Sequence, residues 1–246
     1  MFYNAGVGRL IGSHGRVVMI SGASRGIGRA IALSLHAKGY TISASARNVE
    51  ALKSSLSSIR GDRLLCATYE ASDRTTHSAW VAATISAFGC INALVNNAGT
   101  SNTFSVEEGD EADLDALWSS NVKGPLFMTR ACLPHLRQTG TGRIINVSSL
   151  SGKRLRNNNV AYAMTKFAIM ALTHATRQTG WEDGVRVTAL CPSFVATDLT
   201  AEVVKVGRAE MIAPEDLAEI AAMLISLPNT AAIAEVLVNC RLEDTV

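Results

Sequence analysis

SGASRGIG, residues 21–28, follows a short apolar run and precedes a stretch of helical period. A strand, a glycine-rich turn and a helix in this order form a cradle for phosphate groups at the N-terminus of the helix. Gly22 would turn the chain, Gly26 would permit close backbone approach, and Gly28 would let the helix pack tightly on the sheet. The spacing is G-x-x-x-G-x-G, so the G-x-G-x-x-G fingerprint does not apply as written.

Outside this loop, short apolar runs alternate with longer segments of helical period, which is typical of a parallel sheet covered by helices. The fold class expected is α/β: a single Rossmann-like, doubly wound domain over residues 16–246, with a tail over residues 1–15. Its sheet would be seven-stranded and mostly parallel. Strands are predicted near 17–21, 41–46, 64–68, 93–96, 142–148, 186–190 and 236–239, and helices near 27–38, 49–58, 75–88, 111–137, 161–181 and 214–227.

The composition favours a soluble domain with small-molecule partners. The chain has 246 residues, of which 48% are apolar, enough to bury a large core. No apolar stretch approaches the roughly 20 residues of a membrane span. The net charge of +2, from 23 basic and 21 acidic residues, gives no electrostatic footprint for nucleic acid. Neither a membrane nor a nucleic acid is therefore expected as a partner.

The cysteines indicate free thiols. They form no C-x-x-C pair and have no accompanying histidine cluster, so neither a zinc site nor a disulfide framework is predicted, and no metal is expected. The first fifteen residues contain no apolar segment of secretory length. The compartment expected is the cytoplasm. The cysteines are Cys66, Cys90, Cys132, Cys191 and Cys240.

A tyrosine and a lysine four residues apart, Tyr162 and Lys166 in AYAMTK, suggest acid–base chemistry, with Ser149 thirteen positions upstream. On a helix, Tyr162 and Lys166 would share one face, and the lysine cation would lower the pKa of the phenol. Tyr162 would then be a proton donor near neutral pH. Taken alone, such a pair can also be an exposed aromatic beside a solvated lysine.

Together, these features resemble the short-chain dehydrogenase/reductase family, from about Arg16 to about Asn239. The resemblance implies hydride transfer between a nicotinamide cofactor and a carbonyl or carbinol carbon. It rests on an ordered set of motifs: Gly22, Gly26 and Gly28; Asn96, Asn97, Ala98 and Gly99; Asn121; Ser149; and Tyr162 with Lys166.

The resemblance implies a role for each of four catalytic residues. Tyr162 would give its proton to the carbonyl oxygen, and Ser149 would hydrogen-bond that same oxygen. Lys166 would lower the pKa of the phenol and donate to the ribose hydroxyls of the nicotinamide. Asn121, a poor helix former in a helical pattern, would mark a local break whose freed carbonyl holds a water leading to Lys166. A mid-helix asparagine can also be a plain surface residue.

NADP(H) is the cofactor expected. The second predicted strand ends in Ala46 and Arg47, where an NAD-preferring enzyme usually places a carboxylate. Arg47, with Arg25 of the glycine loop, suits a 2′-phosphate. The alternative is that Arg47 solvates a helix start and Arg25 covers a loop. Asp73 would contact the adenine amino group through its side chain or its neighbour's backbone.

The remaining cofactor contacts also follow from the resemblance. Asn97 could equally brace the neighbouring strands. Ser193 stands where relatives usually have glycine, so a turn with positive φ would be less comfortable there. The residues expected at the cofactor are Gly22, Ser24, Arg25, Gly26, Ile27, Gly28, Arg47, Asp73, Asn97, Ala98, Gly99, Tyr162, Lys166, Pro192 and Thr197.

The function predicted is an NADP(H)-dependent oxidoreductase that interconverts a carbonyl and a secondary alcohol. The alternatives are a dinucleotide sensor or scaffold without turnover, and an NAD-dependent alcohol dehydrogenase. The helices carrying Asn121 and Tyr162 are rich in small and apolar residues and could pair across a two-fold axis. A homodimer or homotetramer is therefore expected.

Overall fold

The computed structural model describes residues 10–59 and 61–242. Its strands form one sheet in the order β3-β2-β1-β4-β5-β6-β7, and every neighbouring pair is parallel. The strand order reverses between β1 and β4. The α/β, doubly wound fold predicted from the sequence is confirmed. The strands are β1 Val17–Ser21, β2 Thr41–Ala46, β3 Leu64–Thr68, β4 Ala93–Asn96, β5 Arg143–Val147, β6 Arg186–Pro192 and β7 Glu235–Val238.

Helices cover both faces of the sheet because successive side chains of each strand point to opposite faces. In β1, Val18 and Ile20 pack in the core with α1, α2 and α7, whereas Met19 packs in the core with α3 and α5. All three side chains are fully buried. The helices are α1 Gly26–Ala37, α2 Val49–Ser55, α3 Arg74–Phe88, α4 Glu111–Trp118, α5 Gly124–Gln138, α6 Val160–Gly180 and α7 Pro214–Ser226.

The helix predicted over 111–137 is formed by α4, a π-helical turn over Ser119–Lys123 and α5, and the turn lies where a local break was expected at Asn121. The predicted strand bounds differ from the observed ones by at most two residues. Residues 1–9 of the predicted tail lie outside the described residues. The backbone N–H of Ile11 donates to the carbonyl of Ser226 at 2.7 Å. The domain boundary at residue 16 stays a prediction.

The parallel sheet places the motifs identified in the sequence at one edge. The carboxyl ends of β1, β4, β5 and β6 lead into the glycine loop, residues 97–99, Ser149 and Ser193, respectively. In open α/β sheets, ligands bind in the crevice at this edge where the strand order reverses. Among the described residues, no helix has the length and apolar character needed to cross a membrane.

Candidate active site

The glycine loop between β1 and α1 is shaped so that side chains are excluded. Gly22 and Gly26 have positive φ, 66° and 55°. A Cβ on Gly28 would lie 2.4 Å from both Asn97 Nδ2 and the carbonyl oxygen of Gly22. No side chain caps the N-terminus of α1, at which Arg25 is the N-cap residue. A tight glycine loop before an uncapped helix N-terminus fits the diphosphate of a dinucleotide, because the free backbone N–H groups attract anions.

Asn97 braces the glycine loop against the end of β1. Such a structural role was one of the two alternatives that the sequence left open for this residue. Its Nδ2 donates to the carbonyl oxygens of Ser21 and Gly22, both at 3.0 Å. The hydroxyl of Ser21 in turn accepts from the backbone N–H groups of Asn97 and Ala98, also at 3.0 Å. Ser21 was missed in the sequence analysis, although a serine at the end of a strand facing NNAG was a visible signal.

Asn121 lies in the π-helical turn and is 2% exposed. Its Oδ1 accepts from the N–H of Thr100, and its Nδ2 donates to the carbonyl of Thr100, both at 2.9 Å. Nδ2 also lies 3.2 Å from Thr165 Oγ1. Asn121 is thus a buried residue that holds Thr100, not a surface asparagine. The water relay predicted from it stays a prediction.

Ser149, Tyr162 and Lys166 come together beside the end of β5. The Ser149 hydroxyl lies close enough to Tyr162 to lower the pKa of the phenol, and Lys166 Nζ lies 5.5 Å from the centroid of the Tyr162 ring. Ser149 Oγ also accepts from the N–H of Ser151 at 3.1 Å. The neighbouring Ser148 turns away and donates to the carbonyl of Lys166. The arrangement can hold a substrate oxygen between two hydroxyl groups.

The expectation that Lys166 lowers the pKa of Tyr162 is wrong for this structure. Burial raises the pKa of Tyr162 to about 12, and the Ser149 hydroxyl offsets only part of that rise. Lys166 Nζ donates to the carbonyl oxygen of Val147 at 3.0 Å and lies 5.5 Å from the centroid of the Tyr162 ring. Desolvation is the largest influence on the pKa of Tyr162, which stays protonated at neutral pH.

Burial makes the charged form of Lys166 unfavourable. Lys166 is 8% exposed, and desolvation lowers its pKa to about 8 from 10.5. Below pH 8, Lys166 is charged in both the folded and the unfolded protein. The free energy of unfolding is therefore lowered by the full cost of removing the charged ammonium from water. Between about pH 8 and 10.5 only the unfolded chain keeps the proton, so the free energy of unfolding rises with pH.

Replacing Lys166 by methionine is therefore expected to stabilise the protein at neutral pH. Removing the buried charge should raise the free energy of unfolding by about 2 kcal/mol at pH 7, and this gain should shrink by pH 10. Urea unfolding at both pH values measures the difference. Lys205→Met, at an exposed lysine, is the control and should change little. A loss of stability at pH 7, or an equal gain at both pH values, would contradict the assignment.

The residues predicted around the adenosine end lie on the surface. Arg47 follows β2 and is exposed, and the described part of the chain shows no ion pair for it. Arg25 Nη1 lies 2.9 Å from Asp198 Oδ2, with both side chains largely exposed, so this pair is weak. Asp73 caps α3: its Oδ1 accepts from the N–H of Thr75 at 2.9 Å, and the hydrogen bonds from Thr75 lower the pKa of Asp73.

The segment after β6 closes the site from the other side. Thr197 lies against the glycine loop, with its methyl group 3.1 Å from where a Cβ on Gly26 would stand. Pro192 ends β6 and pairs with Val238. The concern about Ser193 is not supported, because among the described residues only glycines have positive φ. Ser193 Oγ instead accepts from the N–H of Cys240 at 3.0 Å.

Known proteins are similar to this chain in sequence and in fold. The family model described as short chain dehydrogenase matches residues 16–206. Agropine synthesis reductase of Rhizobium rhizogenes is 41% identical over 228 residues, which are 92% of this chain and 53% of the relative. The chain thus spans about half the length of that curated relative.

Two solved structures extend the comparison. The 3-ketoacyl-(acyl-carrier-protein) reductase from Brucella melitensis, complexed with NADH, has a TM-score of 0.86 and 28% identity, covering 92% of this chain and 98% of its own. The alcohol dehydrogenase from Thermococcus sibiricus, complexed with 5-hydroxy-NADP, has a TM-score of 0.83 and 26% identity, covering 91% and 95%. With the family match over most of its length, the chain belongs to the short-chain dehydrogenase family of oxidoreductases.

Proposed function

We propose that the protein is an NADP(H)-dependent oxidoreductase that interconverts a carbonyl and a secondary alcohol, with Tyr162 as the general acid and base. The observation that carries this proposal is the grouping of Ser149 and Tyr162 beside Lys166. The pair lies at the same sheet edge as the glycine loop. A proton donor and a nucleotide cradle at one edge are the two parts that carbonyl reduction requires of the protein.

The residues at this edge fit a dinucleotide, which when bound would supply or accept the hydride. The glycine loop would receive the diphosphate, and Ala98 and Gly99 offer a small-residue wall against which a flat group can pack. Lys166 would donate to ribose hydroxyls, and Pro192 and Thr197 would border the nicotinamide end. Ser24 lies in the loop and Ile27 in the first turn of α1, and both would contribute backbone N–H groups.

The protonation state of Tyr162 fits the proton-donating step of carbonyl reduction. With a pKa raised to about 12, the phenol carries its proton throughout the physiological range and can give it to a carbonyl oxygen. Oxidation of an alcohol would first require loss of that proton, which burial opposes. Ser149 would hold the same oxygen, and the Lys166 cation would stabilise the phenolate that forms when the proton leaves.

The test is a panel of ketones, aldehydes, acyl thioesters and sugars, with loss of NADPH or NADH followed by absorbance. We expect turnover of at least one carbonyl class with NADPH, and slower turnover with NADH. A dinucleotide sensor would bind NADPH, seen as fluorescence quenching, yet would turn over no member of the panel. An NAD-dependent alcohol dehydrogenase would prefer NADH and oxidise the matching alcohols.

Arg47 is proposed to select the 2′-phosphate. Replacing Arg47 by alanine should raise the Michaelis constant for NADPH about tenfold, the loss of one charge-assisted hydrogen bond at an exposed site, and leave that for NADH unchanged. Lys53→Ala is the matched control, because Lys53 is a nearby cation already paired with Glu50 at 2.8 Å. Equal effects of Arg47→Ala on both cofactors would contradict the selection. A smaller effect is expected for Arg25, which is paired with Asp198.

A homodimer or homotetramer also stays a proposal. It is supported by an apolar stripe on α6 formed by exposed residues at helical spacing, in which Met164 and Phe167 are 47% and 45% exposed. Large apolar side chains at such spacing favour packing against another surface. We call this the α6 stripe: Met164, Phe167, Ala171 and Ala175.

A further inference from the structure

The segment Thr100–Phe104 is fastened to the first turn of α6, the turn that carries Tyr162. Asn159, the N-cap of α6, makes the connection with its side chain. Its Oδ1 accepts from the N–H of Tyr162 at 3.3 Å. Its Nδ2 donates to the carbonyl of Asn102, and lies 3.4 Å from Ser101 Oγ. The N–H of Val160 adds a bond to the carbonyl of Phe104 at 2.9 Å.

A second route joins the same segment to the other side of Tyr162. Asn121 holds both backbone groups of Thr100. Its Nδ2 also donates to Thr165 Oγ1, and Thr165 Oγ1 donates to the carbonyl of Tyr162 at 2.7 Å. Side chains attached to Thr100–Phe104 thus reach both the N–H and the carbonyl of the residue that bears the phenol. A displacement of the segment would disturb the backbone hydrogen bonds of Tyr162, because most of the connecting contacts are partly buried and cost free energy to break.

We propose that Asn159 is a positioning residue that couples a substrate-contacting wall, Thr100–Phe104, to the proton donor Tyr162. This inference rests on the proposed function, since it assigns the wall to the same reaction. The wall is composed of Thr100, Ser101, Asn102, Thr103 and Phe104, so it offers hydroxyl and amide groups without charge. It suits the neutral, hydrogen-bonding part of a carbonyl substrate.

The amide of Asn159 performs two separable tasks. Capping the N–H of Tyr162 needs only an oxygen acceptor, which aspartate would also supply. Holding the wall needs a donor toward the carbonyl of Asn102, which aspartate lacks and whose place it would fill with a second acceptor. The substitution Asn159→Asp therefore removes the side-chain link to Asn102 and keeps the cap, whereas Asn159→Ala removes both; the Val160 backbone bond and the Asn121 route remain in each variant.

The experiment compares Asn159→Asp and Asn159→Ala with the unaltered protein in steady-state kinetics and in hydrogen exchange of residues 100–104. Asn159→Asp should raise the Michaelis constant for the carbonyl substrate about fivefold, the size of one lost hydrogen bond, and keep kcat and the NADPH constant within about twofold. Amide exchange in the wall should become faster. Asn159→Ala should in addition lower kcat, because the first turn of α6 loses its cap.

Thr176→Val serves as a control for changes in α6, since the Thr176 hydroxyl bonds the carbonyl of Leu172 far from the wall. An unchanged substrate constant and unchanged exchange in Asn159→Asp would overturn the proposal. A parallel loss of NADPH affinity, substrate affinity and melting temperature would also overturn it, because it would indicate a purely structural role. If the unaltered protein reduces no carbonyl, the proposed function fails, and the exchange data still decide whether Asn159 holds the wall.

Discussion

Replacing Tyr162 by phenylalanine should lower kcat for carbonyl reduction by about 10²- to 10⁴-fold, the usual contribution of a positioned general acid. The substitution removes one hydroxyl and keeps the ring that packs near Lys166. Ser149 would remain to hold the substrate oxygen, but the hydroxyl group that is proposed to donate the proton would be gone. The Michaelis constant for NADPH should stay close to that of the unaltered protein. Steady-state kinetics with NADPH and an active carbonyl measure both quantities.

Tyr40→Phe is the matched control for this result. Tyr40 is a buried tyrosine immediately before β2, at the edge of the sheet opposite the site. The same loss of one hydroxyl there should leave kcat nearly unchanged. Full activity of the Tyr162→Phe protein would remove the proposed proton donor. Unaltered NADPH binding with no turnover in either protein would favour the sensor alternative.

Replacing Gly28 by alanine should cost both stability and nucleotide binding. The new Cβ would stand 2.4 Å from the carbonyl oxygen of Gly22 and from Asn97 Nδ2. The first atom belongs to the backbone, and the second is held by hydrogen bonds to Ser21 and Gly22. Overpacking of this kind costs about 1–3 kcal/mol, more than the roughly 1 kcal/mol that alanine gains over glycine in a helix. The unfavourable packing should therefore outweigh the gain in helix propensity, and the free energy of unfolding should fall.

Thermal melting and NADPH titration would measure the two effects of Gly28→Ala. Gly12→Ala is the control, because a Cβ on Gly12 meets nothing within 4 Å and Gly12 does not have positive φ. That variant should melt and bind like the unaltered protein. If Gly28→Ala were as stable as the control and bound NADPH equally well, the close contact between α1 and β4 would not be needed for the cradle.

Much of the fold could be predicted from the sequence, because strands, helices and the glycine loop each leave a pattern within a short stretch of residues. The glycine loop and the alternation of apolar runs with helical segments predicted the strand–helix order and the parallel sheet. The interruption between α4 and α5 was readable in part, because Asn121 is a poor helix former in a helical pattern, but the contact that accompanies it was not, because its partner is distant in the chain. Asn121 bonds both backbone groups of Thr100, 21 residues earlier in the chain. No pattern within the helix itself indicates such a partner.

The grouping of Ser149, Tyr162 and Lys166 was also predictable, but their electrostatics were not. A spacing of four residues places two side chains on one helix face. It says nothing about how much water reaches them, and burial raises the pKa of Tyr162 in the folded protein. Asn159 was missed although it carried a usable signal. An asparagine immediately before a helical stretch is a common N-cap, and that position fixes the turn containing the tyrosine.

The α6 stripe has a consequence for how assembly and chemistry are related. Met164 and Phe167 are exposed on the same helix whose inner side carries Tyr162 and Lys166. The continuous hydrogen-bonded backbone of a helix moves as one stiff body. A neighbouring molecule packed against the outer side would therefore contact the same helix that carries Tyr162. Changes in the contact between subunits and changes in the position of the Tyr162 side chain would then be coupled through α6.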